Sequence, residues 1–148
     1  RRRYTVAAGK TLADAWNTAE DNGRYELWVY GPNGFVRAIS DLNAGTSQSA
    51  KPECQLDYVE GDVRISFHNT GSSACKLMIE DNAYRSGGPW LVELEPGETV
   101  QRTWSLQDSA SWYDLSVSSD ANSGFARRFA GRVETGKHGL SDPMMGTD

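Results

Sequence analysis

The sequence predicts an all-β fold, and three features of the 148-residue chain support this prediction. Short segments rich in β-branched and aromatic residues follow one another over residues 54–133, and turns containing Gly, Asn or Pro separate them. No segment of credible length has the apolar periodicity of an amphipathic helix. An earlier stretch of the chain repeats the last of these segments. Together these features predict an antiparallel β-sandwich of immunoglobulin-like proportions.

The internal repeat relates residues 9–37 to the later part of the chain. Tyr25, Leu27 and Val29 recur as Tyr113, Leu115 and Val117, Gly9, Thr11 and Trp16 return at the same offset as Gly97, Thr99 and Trp104, and Gly34-Phe35-Val36-Arg37 returns as Gly124-Phe125-Ala126-Arg127. The identities over residues 9–31 exceed the roughly one or two that average composition would give by chance. The alternative is two unrelated hairpins that share common strand residues.

Only the later copy has further strand-like sequence before it, so we expect one complete repeat preceded by the C-terminal half of another. Residues 1–44 are predicted to be that half, 45–52 a linker, 53–136 the complete sandwich and 137–148 a polar tail. The linker prediction rests on a composition of Gly, Thr, Ser, Gln and Pro. The chain has no initiator Met, and we expect it to be a fragment of a longer polypeptide.

In the half repeat, strands are predicted at residues 4–8, 11–16, 24–30 and 35–39. Local propensity would also allow a short helix at 11–16, but its repeat partner LEPGETVQRTWSL is rich in β-branched and aromatic residues and follows a Pro-Gly turn. The segment RYELWVY alternates cleanly, and the following Gly-Pro-Asn-Gly forms a hairpin turn.

Seven strands are predicted in the complete repeat, namely CQLDYV, VRISFHN, CKLMIED, WLVEL, TVQRTWSL, WYDLSVS and FARRFAGRV. If the first three are consecutive antiparallel neighbours, Cys54 and Cys75 meet at one end of the domain. A disulfide between these cysteines is then geometrically reasonable. Two free buried thiols are the alternative.

Composition and motifs exclude several classes of function. A net charge of −5 and a pI near 5.0 argue against nucleic-acid binding. Four basic residues, Arg127, Arg128, Arg132 and Lys137, cluster late in the chain, and we interpret them as a solvated face.

No nucleophile elbow, zinc motif or phosphate-binding glycine loop occurs, so we expect no catalytic residue, no metal and no cofactor. Neither His68 nor His138 lies in a catalytic signature. Glu80 and Asp81 with Asn82 supply too few oxygen ligands for calcium, and a turn capped by Asp81 or Asn82 is the preferred interpretation.

Trp28 and Tyr30 are the first candidates for a contact surface. They alternate with the predicted inward residues of RYELWVY, and the aligned positions in the later copy are Ser116 and Ser118. One sheet face has therefore become aromatic only in the first copy, which predicts docking or membrane contact there. Trp90, at the end of the loop DNAYRSGGPW, is the third candidate.

The assembled segments resemble a known family. HNTGSSACKLMIEDNAY, LEPGETVQRTW, WYDLSVS, GFARRFAGRVETG and SDPMMG resemble the C-terminal repeat domain of bacterial phosphocholine-specific phospholipases C, and GRYELWVYGPNGFVR resembles the end of the preceding copy in the same proteins. RRFAGRVETG followed by SDPMMG is the most specific part of the match.

The resemblance implies a non-catalytic domain attached to a metal-dependent phosphodiesterase that cleaves phosphatidylcholine or sphingomyelin. It implies secretion to the periplasm or the extracellular medium, with the catalytic motifs outside this chain. The expected partners are the catalytic domain of the parent enzyme, or alternatively a phospholipid membrane surface. The competing interpretation is an independent carbohydrate- or protein-binding module. The half repeat needs cover, either from the complete copy in the same chain or from a second molecule, and we expect this chain to dimerise.

Overall fold

The computed structural model describes residues 1–136 and 138–145. In this part of the chain there are nine strands and two single-turn 3₁₀ helices, Ala19–Asp21 and Gln107–Ser109. The strands are β1 (Tyr25–Tyr30), β2 (Val36–Asp41), β3 (Pro52–Val59), β4 (Asp62–Asn69), β5 (Cys75–Asp81), β6 (Trp90–Leu94), β7 (Thr99–Trp104), β8 (Trp112–Ser119) and β9 (Phe125–Arg132).

The strands form two antiparallel sheets that pack face to face. One sheet has six strands in the order β1-β2-β9-β8-β5-β6, and the other has three in the order β3-β4-β7. The central strands β4 and β8 alternate strictly between buried and half-buried residues, as the period of two in a strand requires. Their inward residues meet in the core, where Ile65, Phe67 and Leu115 are fully buried. The predicted all-β antiparallel sandwich is confirmed.

The expectation that β3, β4 and β5 are consecutive neighbours is wrong. β4 pairs with β3 and β7, whereas β5 belongs to the other sheet and pairs with β6 and β8. The chain crosses between the sheets after the fully buried Asn69. The Asn69 side chain donates to the carbonyls of Ser73 and Leu94 and accepts from the backbone N–H groups of Lys51 and Gly71. It thereby satisfies backbone groups that the crossing removes from the sheets.

The strands predicted at residues 4–8 and 11–16 are not formed. These residues are exposed and have no regular secondary structure. Their polar contacts are local: Arg2 forms an ion pair with Asp14 at 2.6 Å, and Tyr4 also donates to this carboxylate. The repeat partner of residues 11–16 is β7, which within the described residues pairs only with β4. Residues 1–10 contain no counterpart of β4, so residues 11–16 have no neighbouring strand to pair with despite their strand propensity.

The hairpin β1–β2 extends the larger sheet at the edge of β9. β2 pairs with β9 over its whole length, from Val36 opposite Ala130 to Asp41 opposite Phe125. Residues 45–52, predicted as a linker, lead from β2 into β3. The hairpin of the first copy and the four strands β9, β8, β5 and β6 of the second therefore share one sheet in this chain.

Candidate functional site

The junction between the two repeat copies is held by the side chain of Arg37 on β2. Its guanidinium donates to the carbonyls of Val36 at 2.8 Å and Ala130 at 3.0 Å. It also donates to the hydroxyls of Tyr58 at 3.0 Å and Tyr113 at 2.9 Å, which are themselves 2.8 Å apart. One side chain thus joins β2, β9, β8 and β3.

The hydroxyl pair at this junction is structural in character. Burial and the hydrogen bond that Tyr113 shares with Tyr58 raise the pKa of Tyr113, although Arg37 acts in the opposite direction. The phenol therefore stays protonated at neutral pH. Gly131 leaves room for the phenol of Tyr113. The φ of Gly131 is +148°, and a Cβ there would lie 3.1 Å from the Tyr113 hydroxyl.

Arg127 on β9 makes a second cross-copy contact. Its guanidinium donates to the Ser40 carbonyl at 2.6 Å and to the Tyr25 hydroxyl at 3.1 Å. It also lies 4.2 Å above the Phe125 ring, as the Arg37 guanidinium lies 4.3 Å above the Phe35 ring. The repeated Gly-Phe-x-Arg string therefore builds the same cation–π pair in both copies.

The late basic residues are expected from the sequence to form a solvated face, and the structure differs at Arg127, which is half-buried against β1 and β2, whereas the Arg128 side chain is 41% exposed. Arg128 makes a two-fold hydrogen-bonded pair with Asp114 on β8, at 2.9 Å and 2.6 Å. Arg132 has a side chain that is only 13% exposed and lies 3.7 Å from Glu134. Lys137 lies outside the described residues.

Polar loops close the junction at both ends of the hairpin. The buried Asn122 donates to the Asp41 carboxylate at 3.0 Å and accepts from Asn43 at 3.2 Å. At the opposite end, Asn33 donates to Glu134 at 2.6 Å. These contacts fix the position of the hairpin relative to the sandwich.

Trp28 and Tyr30 lie together on the outer face of β1, which faces away from the three-stranded sheet. Their rings are stacked, with centroids 6.0 Å apart and planes 14° apart, and 46% and 70% of their surfaces are exposed. The indole N–H of Trp28 donates to Glu26 at 3.1 Å. A shallow groove of about 240 Å³ runs beside Trp28 towards Arg128 and Glu80.

Trp90 does not share this surface. It lies on β6, at the opposite edge of the six-stranded sheet from β1. Its ring is half-buried and meets the Trp104 ring edge to face, with centroids 5.6 Å apart. The contact with Trp104 attaches it to the core.

Cys54 and Cys75 lie on strands of opposite sheets, and both border the core. The two thiols are not bonded to each other in this structure. Burial raises the pKa of Cys54 to about 12, and burial also raises the pKa of Cys75. Neither thiol is activated, and the disulfide stays a prediction.

No catalytic constellation emerges within residues 1–136 and 138–145. In that part of the chain, no three residues among His, Cys, Asp and Glu lie close enough to hold a metal ion. Asp81 accepts from the backbone N–H groups of Ala83 and Tyr84 and pairs with Arg85 at 2.7 Å, as expected for a residue that caps a turn. Across the same described residues, no helix is both long and apolar enough to traverse a bilayer.

The cluster of Arg37, Tyr58 and Tyr113 was missed by sequence reasoning. A signal existed, because Arg37 and Arg127 occupy the same place in the repeat and Tyr113 is its first shared aromatic in β8. The repeat could not show that β2 pairs with β9, and this pairing is what brings Arg37 to Tyr113.

Comparisons with known proteins agree with the resemblance seen in the motifs. The chain matches a family model described as bacterial phospholipase C, C-terminal domain, over residues 1–40 and 46–132. It is 45% identical to a non-hemolytic phospholipase C of Burkholderia pseudomallei over 147 residues, which cover 97% of this chain and 21% of that protein.

Two relatives from Pseudomonas aeruginosa are each 39% identical. One is a non-hemolytic phospholipase C, aligned over 98% of this chain and 22% of its own length, and the other is a hemolytic phospholipase C, aligned over 93% and 19%. The chain spans about a fifth of the length of these curated relatives. The chain belongs to the family of bacterial phospholipase C C-terminal domains.

Proposed function

We propose that this chain is a non-catalytic accessory domain of a secreted phosphocholine-specific phospholipase C, and that it docks against a neighbouring domain of the same polypeptide through Trp28 and Tyr30. The observation that carries the proposal is the exposed, stacked pair on β1. At the repeat-related positions Ser116 and Ser118, the same sheet face has small polar side chains.

The aromatic pair is held in an arrangement that suits packing against the surface of a folded domain. Stacking and the hydrogen bond to Glu26 hold the Trp28 ring, so little side-chain freedom is left to lose on binding. Burial of two such rings removes apolar area from water, which favours binding by a free energy of about 25 cal/mol per Å² of buried apolar surface. Their flat outer face, next to a shallow groove, suits a packed interface with a polar rim.

The charges around the pair favour docking over membrane contact. Interfacial segments that bind lipid carry Lys and Arg beside the aromatic residues, because the basic groups meet lipid phosphates. Here the groove beside the pair is lined by Glu26 and Glu80 and by two arginines that are already engaged. Arg128 is paired with Asp114, and Arg127 donates to the Ser40 carbonyl and the Tyr25 hydroxyl. The chain as a whole carries a net charge of −5.

The test compares the Trp28→Ser plus Tyr30→Ser variant with the natural sequence, in this chain and in the full-length polypeptide that carries it. We expect an unchanged melting temperature for this chain, because both rings are exposed, and a melting temperature lowered by several degrees for the full-length protein. Leu91→Ser, which removes an exposed apolar side chain from β6, is the matched control. Loss of binding to phosphatidylcholine liposomes, with both melting temperatures unchanged, would show membrane contact instead.

A further inference from the structure

The outer edge of β1 is open, although its repeat counterpart in the second copy is paired on both sides. β8 pairs with β9 on one side and with β5 on the other, whereas in the described part of the chain β1 pairs only with β2. The carbonyl of Asp114 accepts from the N–H of Asn82 across the β8–β5 edge, at 2.8 Å. By the repeat, Glu26, Trp28 and Tyr30 turn their backbone groups to the open edge of β1.

The inner face of β1 is also uncovered. Leu115 and Val117 on β8 are 0% and 1% exposed, but their counterparts Leu27 and Val29 are half-buried and 46% exposed. The three-stranded sheet ends at β3, and a cleft of about 830 Å³ opens beyond it, lined by residues that include Tyr25. Side chains at core positions of the repeat thus face a space that a further layer would fill.

The other edge of the same sheet differs from this one. At β6, the side chain of Arg102 donates to the outward carbonyl of Leu91 at 3.1 Å, and a charged side chain on an edge strand discourages pairing. At β1 the outward groups have no such cover in the described residues. β1 can therefore pair with a further strand, whereas pairing at the edge of β6 is partly blocked.

We propose that the open edge of β1 accepts an antiparallel strand from the preceding part of the same polypeptide, the counterpart of β5 in the first repeat copy. The two copies then form one continuous sheet across the β2–β9 junction. The proposal rests on the proposed membership in a longer phospholipase C, of whose relatives this chain spans 19–22%.

The repeat also specifies the chemistry of the incoming strand. On β5, Ile79 lies opposite Val117, and Met78 lies opposite Ser118. The corresponding positions on the incoming strand lie opposite Val29 and Tyr30, so we expect an apolar residue at each of them. Residues 11–16 then gain a strand to pair with, the counterpart of β4, and cover the inner face of β1 as β7 helps to cover β8.

The test uses the intact chain, labelled with ¹⁵N, and a synthetic peptide with the sequence of residues 74–82, which includes β5. We expect the amide exchange of Glu26, Trp28 and Tyr30 to slow at least about tenfold at saturating peptide, because backbone pairing protects these groups. The exchange of Leu91, at the blocked edge of β6, should not change. The control peptide has proline at the positions of Met78 and Glu80, which removes the pairing N–H groups.

Two outcomes overturn the proposal when exchange is measured on the monomeric chain, below the concentrations at which it is expected to dimerise: no slowing at millimolar peptide, or equal slowing with the proline peptide. The Trp28→Ser plus Tyr30→Ser variant separates this inference from the docking function. Strand addition uses the backbone and is retained in that variant, whereas docking through the rings is lost. Peptide binding that vanishes in the variant would mean that the rings, and not the edge, bind the peptide.

Discussion

Arg37 donates a hydrogen bond of 2.9 Å to the hydroxyl of Tyr113, although the two residues come from different copies of the repeat. Arg37 belongs to β2 in the first copy, and Tyr113 is a buried residue of β8 in the second. The bond spans β9, which lies between the two strands in the sheet. The bond therefore attaches the N-terminal hairpin to the buried core as well as to the edge of the sheet.

Replacing Arg37 with Met should therefore destabilise the whole domain. The variant keeps much of the apolar stem but loses the donors to two carbonyls and two tyrosine hydroxyls. We expect the free energy of unfolding in urea to fall by about 2 kcal/mol, since these are hydrogen bonds from a charged group. Arg24→Met, at an exposed position, is the control and should change it by less than about 0.5 kcal/mol. A loss no larger than that of the control would contradict the role given to Arg37.

Cys54 and Cys75 are predicted to be joined when the protein is made under oxidising conditions. They border the same core from opposite sheets, so a bond would tie the two sheets together and constrain the unfolded chain by about 3 kcal/mol in the chain-entropy model. Thiol titration of the unfolded, unreduced protein should find none free. Detection of two titratable thiols in that sample would contradict the predicted disulfide.

The reduced protein should lose stability at high pH. Burial raises the pKa of Cys54 to about 12, above the value of about 8.5 in an unfolded chain. A raised pKa means that the folded state holds its proton more tightly, so this stabilisation is complete below about pH 8.5 and declines as pH rises towards 12. Urea unfolding of the reduced chain against pH should show this decline. The slope should be shallower in Cys54→Ala, and equal slopes would contradict this assignment.

The isolated chain should not hydrolyse phosphocholine esters. In the described residues no three potential ligands approach one another closely enough for a metal ion, and Asp81 is engaged in a turn. The measurement is turnover of a chromogenic phosphocholine ester by the purified chain. Activity that a point substitution within the chain abolishes would overturn the prediction.

The intact chain should dimerise at the concentrations used for crystallisation, whereas a shortened chain that begins at residue 50 should be monomeric. The intact chain presents the open edge of β1 together with the half-covered Leu27 and Val29. The shortened chain exposes β9 instead, whose edge carries Arg127 and Arg128. Sedimentation equilibrium on both chains is the check. If both are monomers while β1 still exchanges its amides slowly, cover within the chain is the correct explanation.

The sequence by itself determined the strands of the sandwich and the pairing of the hairpin. Alternation in RYELWVY, VRISF and WYDLSVS is a local property, because a period of two places every second side chain on one face. The repeat added that Trp28 and Tyr30 replace serines on the outer face. The structure keeps both rings exposed and stacked, as an outward position allows.

Tertiary structure alone decided which strands became neighbours. Local sequence cannot show that β5 leaves the sheet of β4, since the crossing depends on the buried Asn69 satisfying backbone groups of segments distant in sequence. Residues 11–16 repeat β7 but form no strand, because a strand is stabilised by its partners and this chain holds no counterpart of β4 before them. Arg37 meets Tyr113 for the same reason: the β2–β9 ladder, a long-range pairing, brings them together.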